Sequence, residues 1–158
     1  MKPKKKRFAG STIGEGFVAF PYSVLHSQSL VSLSAKAVKL LVDLASQYRG
    51  DNNGDLAAAW KLMRPRGWKS EDTLNKAKQE LLASDLIYEA RKGRRPNVCS
   101  LYAITWRALD PSPKHDYTTR AGFTKGAYRL REPLICRLRT TGQALQIVAP
   151  VGVAETNE

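Results

Sequence analysis

The spacing of apolar positions changes along the chain, and each change predicts an element. From Ser34 onward, Ala37, Val38, Leu41, Val42, Ala45 and Tyr48 recur every three or four residues. That spacing is one face of an α-helix. Leu40 and Leu44 widen the face, as in a central helix contacted from two sides. Ser34 is a good N-cap. Gly50 is expected to end the helix, and Asp51-Asn52-Asn53-Gly54 is a strong turn signal. Residues 55–58 suit either a brief strand or the start of the next helix; the strand, pairing with a later hairpin, is favoured. Residues 59–66 read as a short helix stopped at Gly67. Pro65 sits awkwardly there, because proline lacks an amide donor and clashes one turn back.

A third helix is predicted from Ser70. Glu71 and Asp72 fall in its first turn, where negative charge meets the helix N-terminus favourably. Leu74, Ala77 and Leu81 form a narrow apolar stripe, with Leu82 beside it. The opposite face carries Lys69, Asp72, Lys76, Gln79 and Ala83, flanked by Thr73 and Glu80. Residues 83–85 end the helix. The period then drops to two. LIYEAR (86–91) and VCSLYAITW (98–106) are rich in β-branched and aromatic residues, so two strands are expected. Val98, Ser100, Tyr102, Ile104 and Trp106 share one face of the second strand, and Cys99, Leu101, Ala103 and Thr105 the other. Between the strands lies Lys92-Gly93-Arg94-Arg95-Pro96-Asn97, a hairpin tip that combines turn formers with charge.

The flanks are less patterned. Residues 1–16 (MKPKKKRFAGSTIGEG) read as a flexible basic arm, either a solvated tail or a segment laid along phosphates. Residues 17–33 are an apolar approach segment, a turn with at most one short helix. Residues 111–158 form a basic C-terminal extension: loop-like over 111–133, with a hairpin expected over 134–148 across Thr141-Gly142. No internal repeat is evident.

Charge gives this order of elements a direction. The net charge is +12, and the stretch 91–109 holds Arg91, Lys92, Arg94, Arg95 and Arg107 without a carboxylate. Such a balance favours an anionic partner. A short helix, a turn, a longer helix and a basic-tipped hairpin make up a winged helix-turn-helix: an α+β fold of three helices and a small antiparallel wing sheet. The major groove of duplex DNA admits one α-helix. Lys69, Thr73, Lys76 and Gln79 lie where base edges and phosphates would be met. Lys92, Arg94 and Arg95 on the wing would reach backbone or minor groove. Asp72 is discordant, since it would repel phosphate; it serves either the helix N-terminus or a cytosine amino group.

Residues 17–110 resemble the winged-helix proteins of phages, prophages and plasmids, including DNA-binding domains of replication initiators. The resemblance rests on the NNG turn, the RGW turn before the third helix and the strand ending SLYAITW. It implies a recognition helix bearing Lys69, Ser70, Thr73, Lys76 and Gln79, and a wing bearing Arg94 and Arg95. The RRPN tip and Pro65 depart from the pattern. The implied role is transcriptional regulation, or replication and maintenance of a mobile element, by sequence-specific binding of double-stranded DNA in the cytoplasm. Homodimerisation is consistent with such domains, with residues 111–148 supplying the contact. The alternative is a winged-helix protein–protein module that binds an acidic host or element-encoded replication or transcription protein. Binding to RNA or single strands is a third reading.

Other classes find little support. Cys99 and Cys136 lack zinc-site spacing and are expected to be reduced, partly buried thiols. Trp60, Trp68 and Trp106 are expected as core anchors rather than stacking platforms. His26 reads as a surface or capping residue. His26 and His115 are far apart, no phosphate-loop, HExxH or GxSxG motif occurs, and Glu15, Asp43 and Asp55 have no evident partners with acid/base spacing, so no catalytic or metal site and no cofactor are expected. No run approaches the ~20 apolar residues of a membrane span, and no apolar segment follows the basic N-terminus.

Overall fold

Serines start the early helices. Ser27 accepts a hydrogen bond from Leu30 N and Ser34 from Ala37 N, capping α2 (Gln28–Val31) and α3 (Ala35–Ala45). Before them, α1 (Tyr22–Leu25) begins directly after Pro21. The segment 17–33 therefore holds two short helices where at most one was expected. The computed structural model describes residues 17–94, 96 and 98–130. The basic arm 1–16, Arg95, Cys136 and the hairpin expected over 134–148 lie outside the described residues.

The fold is α+β, with helices packed on a three-stranded antiparallel sheet of order β1-β3-β2. The strands are β1 (Leu56–Ala57), β2 (Ile87–Arg91) and β3 (Leu101–Ile104). The brief strand expected at 55–58 is present, and Leu56 pairs with Tyr102. Between β1 and β2 come α4 (Trp60–Met63) and α5 (Glu71–Ala83). Leu40, Leu41 and Leu44 of α3 meet Leu74, Ala77 and Leu81 of α5 and Leu56, Leu86 and Ile104 of the sheet layer in one buried cluster.

The buried face of α3 is rotated from the expected one. Val42 is exposed, and the face centres on Leu40, Leu41 and Leu44. The helix also ends at Ala45, not Gly50. Side chains then hold the turn: Asn52 accepts from Arg49 N and donates to Gln47 O. Asn53 is fully buried and bonds Ile104 N, Ile104 O and Ala108 O, so it ties the turn to the end of β3.

Pro65 has a simple place. It lies in a 3-10 turn over Arg64–Arg66, after α4 has already ended, so no α-helical bond is lost to it. Gly67 closes the turn at φ 86°, a left-handed conformation that glycine adopts without strain.

Alternation was expected in the last strand, but Leu101 to Trp106 are all buried. Residues 111–130 supply the reason: they are not a loose loop but a strap packed on the sheet. Asp116 N and Thr119 Oγ1 both donate to Ala90 O of β2, and Gly126 N donates to Thr105 O. Phe123 meets Tyr88 edge-on. The strap contains α6 (Thr119–Gly122) and a 3-10 turn over Ala127–Leu130. That turn buries Tyr128, whose hydroxyl meets Ser23 Oγ and whose carbonyl accepts from Ser29 Oγ. Packing thus continues to the end of the described residues, past Asp110.

Candidate nucleic-acid interface

The turn into α5 is held from α3. Asp43, 8% exposed, accepts from Lys39 Nζ at 2.8 Å, Arg66 Nη1 at 3.1 Å and Trp68 Nε1 at 2.8 Å. Lys39 also lies over the Trp68 ring. Burial alone would raise the Asp43 pKa, but the hydrogen bonds from Lys39, Trp68 and Arg66 outweigh it and hold the carboxyl below its ordinary 3.8. Asp43 thus clamps the turn to the core. Arg66 is therefore committed to Asp43 and Ser46, while Lys61 and Arg64 beside it stay exposed.

Ser70 occupies the N-cap position of α5 in extended conformation, but its side chain makes no capping bond. Its hydroxyl is left exposed, next to exposed Lys69. Lys76 and Gln79 are exposed as expected, and Thr73 is half-buried. Asp72 has an explanation: it pairs with Lys76 at 2.8 Å, one helical turn away. The hydrogen bond that Lys76 donates to the Asp72 carboxylate raises the Lys76 pKa. Glu80 is not a free surface charge. Its carboxylate accepts from Ser34 N and, at 2.7 Å, from Ser34 Oγ, which fastens α5 to the start of α3.

The hairpin is built in two stages. β2 and β3 pair until a bulge between Glu89 and Arg91, where the Arg91 guanidinium crosses to Cys99 O at 3.0 Å. Beyond the bulge, Gly93 N donates to Ser100 Oγ, and Arg94 and Val98 exchange both backbone hydrogen bonds. Arg94 and Lys92 are exposed at this tip. Arg91 is thus a brace, and Lys92 and Arg94 are the solvent-facing cations. Cys99 is exposed, not partly buried.

Hairpin and helix meet at a cleft of about 220 Å³. Trp60, Glu71, Asn75 and Lys78 line it from the helical side, Cys99, Ser100 and Tyr102 from the sheet. The wing root therefore stands beside the N-terminal half of α5. Desolvation lowers the Lys78 pKa, with Glu71 and Glu89 opposing. Asn75 is exposed on this wing-side flank of α5, and sequence reasoning passed over it. Helical periodicity separates inward from outward positions, but it cannot say on which flank another element will stand. Trp68 and Trp106 are buried, whereas Trp60 is half-buried against the cleft.

The histidines behave differently from each other. His26 is exposed and stacks on Tyr22. His115 is wedged against Gly54, with Nε2 3.4 Å from Asp55 Oδ1. Asp55 also pairs with Lys114 at 3.2 Å. Among the described residues no His, Cys, Asp and Glu side chains form a group able to hold a metal ion. No helix among them is long and apolar enough to cross a membrane. Comparison of the chain with protein families, with curated proteins and with solved structures finds no match in any of the three.

Proposed function

We propose that the chain is a winged helix-turn-helix protein that binds double-stranded DNA sequence-specifically. The observation that carries this reading is the cleft that seats the wing root beside the N-terminal half of α5. It puts exposed Lys76 and Gln79 on one presented helix, exposed Lys69 and Ser70 just before its first turn, and exposed Lys92 and Arg94 on the adjoining hairpin. An α-helix of that kind fits the major groove, and the flanking cations reach the phosphates alongside. Gln79 and Asn75 are the residues suited to adenine edges; Lys69 and Lys76 suit guanine or phosphate. The role on DNA follows from the resemblance of residues 17–110 alone: regulation, or replication and maintenance of a mobile element, in the cytoplasm and with a homodimer as the binding form.

The test is duplex binding over a salt series. Arg94→Ala combined with Arg95→Ala should weaken binding to every sequence, by about tenfold, and lower the slope of log K against log salt by about 2. Unchanged duplex affinity in that variant rejects the reading.

A protein-partner reading has one observation in its favour. Glu71 and Asp72 share the exposed start of α5, and Asp72 already neutralises Lys76. A surface of mixed sign suits a polar protein face. Absence of any duplex shift at low salt would support that alternative.

A further inference from the structure

The strap of residues 111–130 runs beside the wing root and is pinned there. Asp116 N and Thr119 Oγ1 both bond Ala90 O, and Lys92 N donates to Asp116 Oδ2 at 2.8 Å. Buried Tyr128 and the Gly126–Thr105 hydrogen bond fix its far end. Its side chains are therefore placed by folded backbone and not by a trailing tail.

Asp116 is the only carboxylate in this segment, and it is spent on the wing backbone. Lys114 is paired with Asp55, and Arg129 with Tyr128 and Ser23. Arg120 and Lys125 remain, both exposed and with no polar partner among the described residues. Arg120 directly follows Thr119, one residue from the wing-root contact. Tyr117, close by, is 102% exposed, so folding makes no use of its ring. A groove of about 450 Å³ opens here, lined by Pro111, His115, Tyr117, Arg120 and Phe123 among others.

We infer that this strap is a second nucleic-acid contact, which takes the phosphodiester backbone of the duplex flanking the wing through Tyr117, Arg120 and Lys125. The inference rests on the DNA reading of α5 and the wing. Arg, Lys and Tyr are the side chains that commonly hold phosphate oxygens, and such contacts extend a footprint without reading sequence. The strap thus carries two free cations and no free anion, Arg120 beside the wing root and Lys125 toward the far end held at Thr105, and so extends the wing's cationic surface along the strap.

The experiment uses the full chain and labelled random duplexes of about 12 and about 30 base pairs, roughly one and three helical turns. For the variant with Tyr117→Ala, Arg120→Ala and Lys125→Ala, affinity for the longer duplex should fall about tenfold and its salt slope by about 2. Affinity for the shorter duplex should change by less than about threefold, since α5 and the wing still cover it. The hydroxyl-radical footprint on the longer duplex should shorten on the wing side. Arg120→Glu by itself should act in the same direction, and melting temperatures should stay at the wild-type value because all three side chains are exposed. Unchanged binding to the longer duplex, or equal losses on both, overturns the strap contact and leaves α5 and the wing standing. Wild-type protein that shifts neither duplex at low salt overturns both readings.

Discussion

Asp43 shows how one side chain can set the geometry of a surface it never reaches. It lies on α3, yet it positions Arg66 and Trp68 of the turn that aims α5. Replacing it with asparagine removes the charge from a buried network and should cost about 1–3 kcal/mol in denaturant unfolding. The folded carboxyl has a pKa below 3.8, so its stabilisation is fully present above that value and is lost as pH falls through the folded pKa. Melting curves between neutral pH and the acid range should therefore drop more steeply for wild type than for Asp43→Asn. Two glycines make a second comparison. A Cβ on Gly67 would meet nothing within 4 Å, whereas on Gly54 it would come 2.5 Å from the His115 ring. Both have positive φ. Gly67→Ala should cost about 1–2 kcal/mol for backbone strain alone, and Gly54→Ala clearly more, read as a difference in unfolding midpoints.

At the scale of elements, α5 has divided loyalties. Leu74, Ala77 and Leu81 hold it to the core, and Glu80 ties it to Ser34. Asp72 restrains Lys76 on the outward face. Under the DNA reading, Asp72→Asn releases that lysine and removes a repelled anion. Affinity for random duplex at low salt should rise about threefold, and the gain should shrink as salt is added. A fall in affinity would instead assign Asp72 a direct contact with a base amino group. The hairpin is likewise divided, at the bulge after Glu89. Arg91 braces its base through Cys99 O, which leaves Lys92 and Arg94 facing solvent.

For the whole molecule, the strap is the element that completes the sheet. It occupies the Ala90 carbonyl and, with Tyr128, packs back against the residues before α3. A chain cut after residue 110 would lose the buried Tyr128 and the bonds from Asp116, Thr119 and Gly126. Such a truncation should lose at least about 3 kcal/mol relative to the full chain in urea unfolding, and its wing amides should exchange faster.

The parts written in local period were legible from the amino-acid order. The Ser34 cap, the stripe Leu74-Ala77-Leu81, the stop at Gly67 and the two hairpin strands all depend on residues near one another in the chain. Propensity and periodicity report such relations directly. Much that tertiary structure decided depends on residues distant in the chain. Asp43 found Trp68, Glu80 found Ser34, Asn53 found Ile104, and residues 111–130 found the edge of β2. A carboxylate with no local partner and a polar loop look alike in sequence whether they face water or close a core. Only the packed chain, which brings those groups within hydrogen-bond distance, tells the two apart. By the same physics Lys69, Lys76, Gln79, Lys92 and Arg94 were readable as outward-facing cations and amides, while the placing of the wing beside Asn75, and of Arg120 beside the wing, waited for the fold.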